Sequence, residues 1–188
     1  MYIAVDDTDS VRGNCTTFLA TEIIRELSSD FDLIGNPRLV RLNPAVPWKT
    51  RGNGSLVLRF GKGIGRKHLI GQIDGKHIFC YDESEEISYD RKSIMDRIIP
   101  LIETFHESDA DPGLIVSDER PSCGFYKRGL FTIMSVSDVE GELERIGADT
   151  FRIGCGRGLI GSTCGLAWIP EDSTYELLAY RMPDRWGT

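Results

Sequence analysis

Apolar and polar positions follow two rhythms along the chain. Tyr2-Ile-Ala-Val5 is a short apolar run and reads as a buried strand. From Thr16 to Ser28, Leu19, Ile23 and Leu27 recur at four-residue steps with Ala20 and Ile24 beside them, which predicts a helix with one apolar face. Residues 31–34 and 38–42 predict strands, broken at Gly35-Asn-Pro37. Residues 55–60 and 77–81 predict two more, with a flexible turn at Gly61 to Gly65. Residues 91–106 place Ile94, Ile98, Ile102 and Phe105 on one helical face, and Pro100 is expected to kink or split that helix. Leu114-Ile-Val116 predicts a strand, 118–129 a loop, 135–146 a helix ended by Gly147, and 150–153 a short strand. A glycine-rich stretch, Gly154 to Gly161, leads into a run of small apolar residues. Tyr175 to Tyr180 is the last apolar segment before a polar tail from Arg181. Strands and helices interleave, so the expected class is α/β: a mixed sheet with interleaved helices in one compact unit.

Composition narrows this picture. The length of 188 residues suits one good-sized core, and 40% hydrophobic with 27% charged residues is ordinary for a folded chain. No apolar run approaches the roughly 18 residues of a membrane helix, and no signal peptide is visible, so a cytoplasmic protein is expected. The five cysteines are widely spaced and form no C-x-x-C pair, which speaks against a disulfide framework or zinc site. A net charge of −7 argues against a generic nucleic-acid binder. The charge is unevenly spread, however. Residues 37–66 hold seven Lys and Arg and no Asp or Glu.

The candidate chemistry lies mainly in the first seventeen residues. The opening strand delivers Asp6, Asp7 and Asp9 into a loop, and the helical pattern starts near Thr16 and Thr17. Clustered carboxylates suit a hard cation such as Mg2+, and the N–H groups of a helix start suit a phosphate. Ordinary turn and capping residues would look similar, but three carboxylates in four positions carry a repulsion that a plain turn does not need. A second candidate is the irregular segment 43–54, where Lys49, Arg51 and Asn53 alternate as donors for phosphate oxygens and Trp48 is able to stack on a base or join the core. A solvated basic loop is the plainer account. Asp109 and Asp111 form a further carboxylate pair, explained nearly as well by a turn before Pro112. Gly156-x-Gly-x-x-Gly161 matches the dinucleotide fingerprint formally, yet the acid at the expected offset, Glu176, falls inside an apolar segment. Close backbone approach is the simpler meaning of those glycines.

Several of these motifs resemble one family. Ile3-Ala-Val-Asp-Asp-Thr-Asp-Ser10 with Gly13-Asn-Cys-Thr-Thr17, and Pro37-Arg-Leu-Val-Arg-Leu-Asn-Pro44 running into Pro47-Trp-Lys-Thr-Arg-Gly-Asn-Gly54, are similar to the opening signatures of the archaeal tRNA-Ile 2-agmatinylcytidine synthetases, the agmatidine synthetase or TiaS family. Asp111-Pro-Gly113, where the family pattern has Asn-Pro-Gly, Gly156 to Gly161 and Thr174 to Arg181 add weaker likeness. The resemblance implies that residues 1–188 form an unusual kinase-like module, neither a standard Rossmann nor a protein-kinase fold. The ferredoxin-like, OB-fold and zinc-ribbon domains of full-length members would lie outside it. It implies ATP and Mg2+ as cofactors, with Asp6, Asp7 and Asp9 on the metal. Thr8, Thr16, Thr17, Lys49, Arg51 and Asn53 would sit around the nucleotide, and Thr16 would accept a phosphoryl group. The implied activity is ATP-dependent activation of the wobble cytidine of tRNA-Ile for agmatine conjugation at C2. The partners, tRNA-Ile and agmatine, would need further domains or a partner chain. A non-catalytic nucleotide- or RNA-binding module is the alternative expectation.

Overall fold

The structure, a computed structural model, describes residues 1–50 and 52–180; Arg51 and the tail from Arg181 lie outside the described residues. Its frame is a seven-stranded sheet with helices on both faces. The strands are β1 (Tyr2–Asp6), β2 (Asp32–Ile34), β3 (Arg38–Arg41), β4 (Gly54–Ile73), β5 (Lys76–Glu85), β6 (Gly113–Ser117) and β7 (Asp149–Arg152). The helices are α1 (Thr16–Leu27), α2 (Arg91–Phe105), α3 (Cys123–Phe131), α4 (Ser137–Arg145) and α5 (Gly158–Ala167). Strand order is β2-β5-β4-β1-β6-β7, with β3 also on β4. Only the β2–β5 pairing is parallel; β1 runs antiparallel to both β4 and β6. The expected mixed α/β sheet is therefore present. A Rossmann unit, which needs parallel neighbours, is not what surrounds the 156–161 glycines.

The central strands are apolar throughout because both faces are covered. Ile3 and Val5 of β1, Leu56, Leu58 and Phe60 of β4, and Leu114 and Val116 of β6 face α1 and α2. The alternate residues Ala4, Val57 and Ile115 face the layer of α3, α4 and α5. The stripe Leu19, Ile23 and Leu27 of α1 is fully buried against the first face, as its spacing predicts.

Three local expectations need correction. The glycine run 61–65 is not a turn, because β4 continues through it to Ile73. Its glycines serve close packing: a Cβ on Gly63 would stand 2.3 Å from the Tyr81 ring, and Gly65 takes a φ of 78° where the register shifts between Ile64 and Lys67. Pro100 does not split α2. It sits on the exposed side, so the carbonyl that loses its partner faces water. Residues 118–129 are not all loop, since α3 starts at Cys123 with Ser122 capping Gly124 N–H. The segment 168–180 has no helix or strand, and Tyr175 and Leu177 are exposed.

Helix α5 is the element that sets the site. Its small residues let it lie almost against the sheet: a Cβ on Gly113 of β6 would fall 2.0 Å from the Leu159 nitrogen. Gly113→Ala is therefore expected to lower stability by about 1–3 kcal/mol through overpacking. Gly141→Ala in α4, where nothing lies within 4 Å of the added methyl, should raise it by roughly 0.5–1 kcal/mol. Urea unfolding of the two variants checks the contrast; equal midpoints would refute the close approach.

Candidate functional site

The loop after β1 is tightly organised. Ser10 and Gly13 exchange backbone hydrogen bonds of 3.1 and 3.3 Å, forming a miniature hairpin. Asp7 and Asn14 flank it in the left-handed region, each at φ 57°, a conformation that Asp and Asn tolerate best among residues with a side chain. The loop is moored to the segment after α2, where Glu107 N–H donates to the Thr8 carbonyl at 3.0 Å and Arg12 pairs with Asp109 at 2.7 Å.

Asp6, Asp7 and Asp9 line an open cleft. Lys49, Thr50, Asn53 and Trp48 line the same cleft. Leu42, Ile133, Met134, Ile160 and Cys164 supply an apolar floor. The acidic and basic loops are joined directly, because Thr50 Oγ1 donates to the Asp9 carbonyl at 3.1 Å. Asn53 is fixed by its own bond to the Asn43 carbonyl at 2.9 Å. The cleft's mix of apolar lining with a few polar groups suits a small organic ligand.

Electrostatics at the acidic side are strained. Asp6 backs onto α5 so closely that a Cβ on Gly161 would sit 1.6 Å from its Oδ2. Burial raises the Asp6 carboxyl well above the usual carboxylate range, although its Oδ1 accepts the Asp7 N–H at 2.8 Å. Burial likewise pushes Asp7 up to about 6; the Arg157 charge pulls it down, and Asp111 and Asp9 push it further up. Asp111 behaves differently. Burial works against its charge, but the Cys155 thiol and N–H and the Arg157 guanidinium, at 2.5 Å, hold it below its ordinary value. Arg157 also lies over the Trp48 ring, 5.4 Å from its centroid. Arg157 and Asp111 thus link the acidic loop to the basic one.

The structure gathers Asp6, Asp7, Asp9, Lys49 and Asn53 as the sequence predicts. It places Thr8 and Thr16 behind the loop: both are buried, and Thr8 Oγ1 donates to Thr16 Oγ1 at 3.0 Å. Thr16 and Thr17 do open a helix, but neither is among the residues lining the cleft. The Thr17 hydroxyl instead contacts the Cys15 thiol and the Tyr180 hydroxyl. The predicted site residue Arg51 lies outside the described residues. Among the described residues no three His, Cys, Asp or Glu side chains converge as a ready metal cage. Mg2+ nevertheless fits the donor chemistry, since it usually takes one or two carboxylates and completes its shell with water and phosphate oxygens. Sequence reasoning missed Arg157; the signal was a lone cation inside the glycine-rich stretch. Asp109 belongs with Arg12 on the rim and not with the cleft.

A family model described as the TiaS TCKD domain matches residues 2–155. The chain belongs to the TiaS family. A second model, the TiaS FLD domain, matches residues 156–188. The division falls between β7 and α5, although α5 packs on β1, β4, β6 and α3. The tRNA-Ile 2-agmatinylcytidine synthetase TiaS of Thermoplasma volcanium is 39% identical over 97% of this chain, and that of Methanocaldococcus jannaschii 32% over all of it. The chain spans 42% and 41% of the length of those two TiaS relatives. A solved complex of TiaS with its isoleucine tRNA and ATP superposes with a TM-score of 0.78 at 29% identity, covering 100% of this chain and 40% of that one. A complex of TiaS with the same tRNA, AMPCPP and agmatine does so at 0.74 and 27%, with the same coverage. Among the described residues no helix is long and apolar enough to cross a membrane.

The raised Asp7 value gives a signed prediction. The folded state holds the proton more tightly than the unfolded chain, so stability is lost as pH rises from the ordinary value of 3.8 through about 6. Asp7→Asn, which keeps shape and tolerates the same φ, should therefore raise stability near neutral pH by about 1–2 kcal/mol, after allowance for solvent screening. The gain should vanish near pH 4. Thermal melts of both proteins across that range check it.

Proposed function

We propose that this chain carries the ATP-dependent step of agmatidine synthesis: phosphoryl transfer onto the C2 carbonyl oxygen of the wobble cytidine of a tRNA-Ile, so that the amine of agmatine bonds to C2 and that oxygen leaves as phosphate. In this reading residues 1–188 act as the kinase-like module, ATP is consumed to AMP and two phosphates, one leaving with the C2 oxygen and the other released by water, and the reaction takes place in the cytoplasm. Binding of tRNA and agmatine also needs domains or a partner chain beyond these residues. The observation that carries the reading is the single cleft lined by Asp6, Asp7 and Asp9 together with Lys49 and Asn53.

The roles follow from charge. Phosphoryl transfer asks a protein mainly for positioning and for charge stabilisation. Lys49 and Asn53 donate to phosphate oxygens, joined by Arg51. Asp6, Asp7 and Asp9 would hold Mg2+, by their carboxylate chemistry. When bound, the metal supplies neutralisation across the oxygens that gain charge. The exposed face of Trp48 offers a stacking surface for a base. Arg157 keeps Asp111 ionised and moderates the rise of Asp7. Thr16 is the phosphoryl acceptor implied by the family motif. In this role the Thr8–Thr16 hydrogen bond has to open, because the Thr16 hydroxyl is buried.

That burial favours the second reading, a non-catalytic nucleotide- or RNA-binding module. Two measurements separate them. Incubation with Mg-ATP followed by mass spectrometry should show a phosphate on Thr16, and calorimetry should show heat for Mg-ATP. An unmodified Thr16 with no heat signal would sink the first reading; steeply salt-dependent tRNA binding without ATP turnover would establish the second. Lys49→Ala should weaken Mg-ATP binding by about 1.5–3 kcal/mol, the loss of one charge-assisted hydrogen bond. Mg-ATP affinity should also fall as pH drops through about 6, where Asp7 takes up its proton.

A further inference from the structure

Tyr2 lies at the opposite end of β1 from Asp6, about 13 Å away along the strand. Two guanidiniums rest on its ring, Arg59 at 5.6 Å and Arg120 at 5.9 Å from the centroid. Arg38 of the edge strand β3 joins them, half-buried. Burial lowers the Arg38 pKa, and the neighbouring charges of Arg120 and Arg59 lower it further. Gathering three cations costs free energy, and Tyr2 offsets only part of it. Elsewhere in this acidic chain arginines sit on carboxylates, as Arg25, Arg91, Arg97 and Arg145 do. Here no described carboxylate pairs with any of the three. The nearby Asp118 is taken up by the Met1 ammonium and the Tyr89 hydroxyl. It extends from the sheet face of Val116, opposite to that of Tyr2.

Arg120 has a structural role, since it donates to the carbonyls of Leu166 and Trp168 at the end of α5. Arg38 and Arg59 have no such role, because no hydrogen bond or ion pair joins either guanidinium to another described residue. Both belong to the stretch 37–66, which has seven cations and no acid. From this cluster β3 runs on to Arg41, beside Gly52 of the cleft lining. Arg38 and Arg59 project from one sheet face, two positions apart in register across β3 and β4, and two planar donors with no carboxylate suit successive phosphates of a polyanion better than a single small ion.

We infer that Arg38 and Arg59, positioned around Tyr2 beside Arg120, form a phosphate-backbone contact for a nucleic-acid strand. The site is separate from the proposed ATP site, and the two are able to fail independently.

The test is fluorescence anisotropy of the whole chain with a fluorescein-labelled RNA stem-loop, repeated over a series of KCl concentrations. R38Q/R59Q should weaken binding roughly tenfold and flatten the log–log salt slope by about 1–2, one phosphate contact per arginine. R38K/R59K should restore most of the slope and only part of the affinity, because the charge returns without the planar fork. The calorimetric response to Mg-ATP should be the same in R38Q/R59Q as in the parent, whereas D7N should change that response and leave RNA binding alone. Should R38Q/R59Q melt below the assay temperature, single R38Q reads the same slope. An unchanged Kd and slope overturns the inference, as does absence of RNA binding by the parent chain. Poly-glutamate bound as tightly, and weakened by the same substitutions, would also overturn it by assigning the cluster to an acidic protein.

Discussion

The close approach of α5 to the ends of β1 and β6 is the contact on which the rest depends. Gly113, Gly158 and Gly161 leave no room for a side chain between helix and sheet. Gly158 N–H bonds the Asp111 carbonyl at 2.9 Å, and Ser162 Oγ bonds the Gly113 carbonyl at 2.8 Å. The helix start is thereby fixed against the loop that carries Asp111. That same approach places Arg157 where it reaches Asp111 and Trp48, and presses Asp6 into a site where its charge is costly. A fold that kept α5 further away would have a looser Asp6, a solvated Arg157 and no continuity between the acidic and basic loops.

The cost of that arrangement is concentrated in the acidic wall. Burial and mutual repulsion raise Asp6 and Asp7, while Asp111, nearby and equally acidic in type, stays charged because it has Cys155 and Arg157 as partners. Neighbouring carboxylates with opposed shifts mark a place built for something other than stability. A bound cation would reverse the penalty on Asp6 and Asp7 at once, which ties ligand binding to the stability of the β1–α5 junction.

Much of the frame was legible from the chain. The spacing of Leu19, Ile23 and Leu27 and the continuous apolar runs of β1, β4 and β6 follow from faces that must be buried, and those signals are local. The glycines misled in one place and informed in another for the same reason. A glycine is chosen either for its φ or for the absence of a Cβ, and only the packing partner tells which. Gly63 lies under a ring that is eighteen positions further on, so its run looked like a turn. For Gly156 to Gly161, close backbone approach was the simpler reading, and the structure supplies the partner, β6 and the Asp6 loop. The acidic and basic walls were visible as separate clusters, and their meeting was expected only through the family likeness. Arg157 was invisible because its importance comes from Trp48 and Asp111, which are distant in sequence. The burial of Thr16 was equally hidden, since a threonine at a helix start is normally half-solvated.

Charge distribution joins the two ends of the molecule. A net charge of −7 repels nucleic acid on average, so any contact with RNA has to be local and geometrically defined. The acid-free stretch 37–66 supplies that locality, because β3 and the segment after it form one edge that starts near Tyr2 and ends at the cleft. Acidic residues elsewhere then become useful, because they reject a polyanion from the rest of the surface. The three aspartates lining the same cleft would repel a nucleotide phosphate unless a cation intervened. The order in which cation, nucleotide and RNA arrive is thus constrained by electrostatics already present in the folded chain.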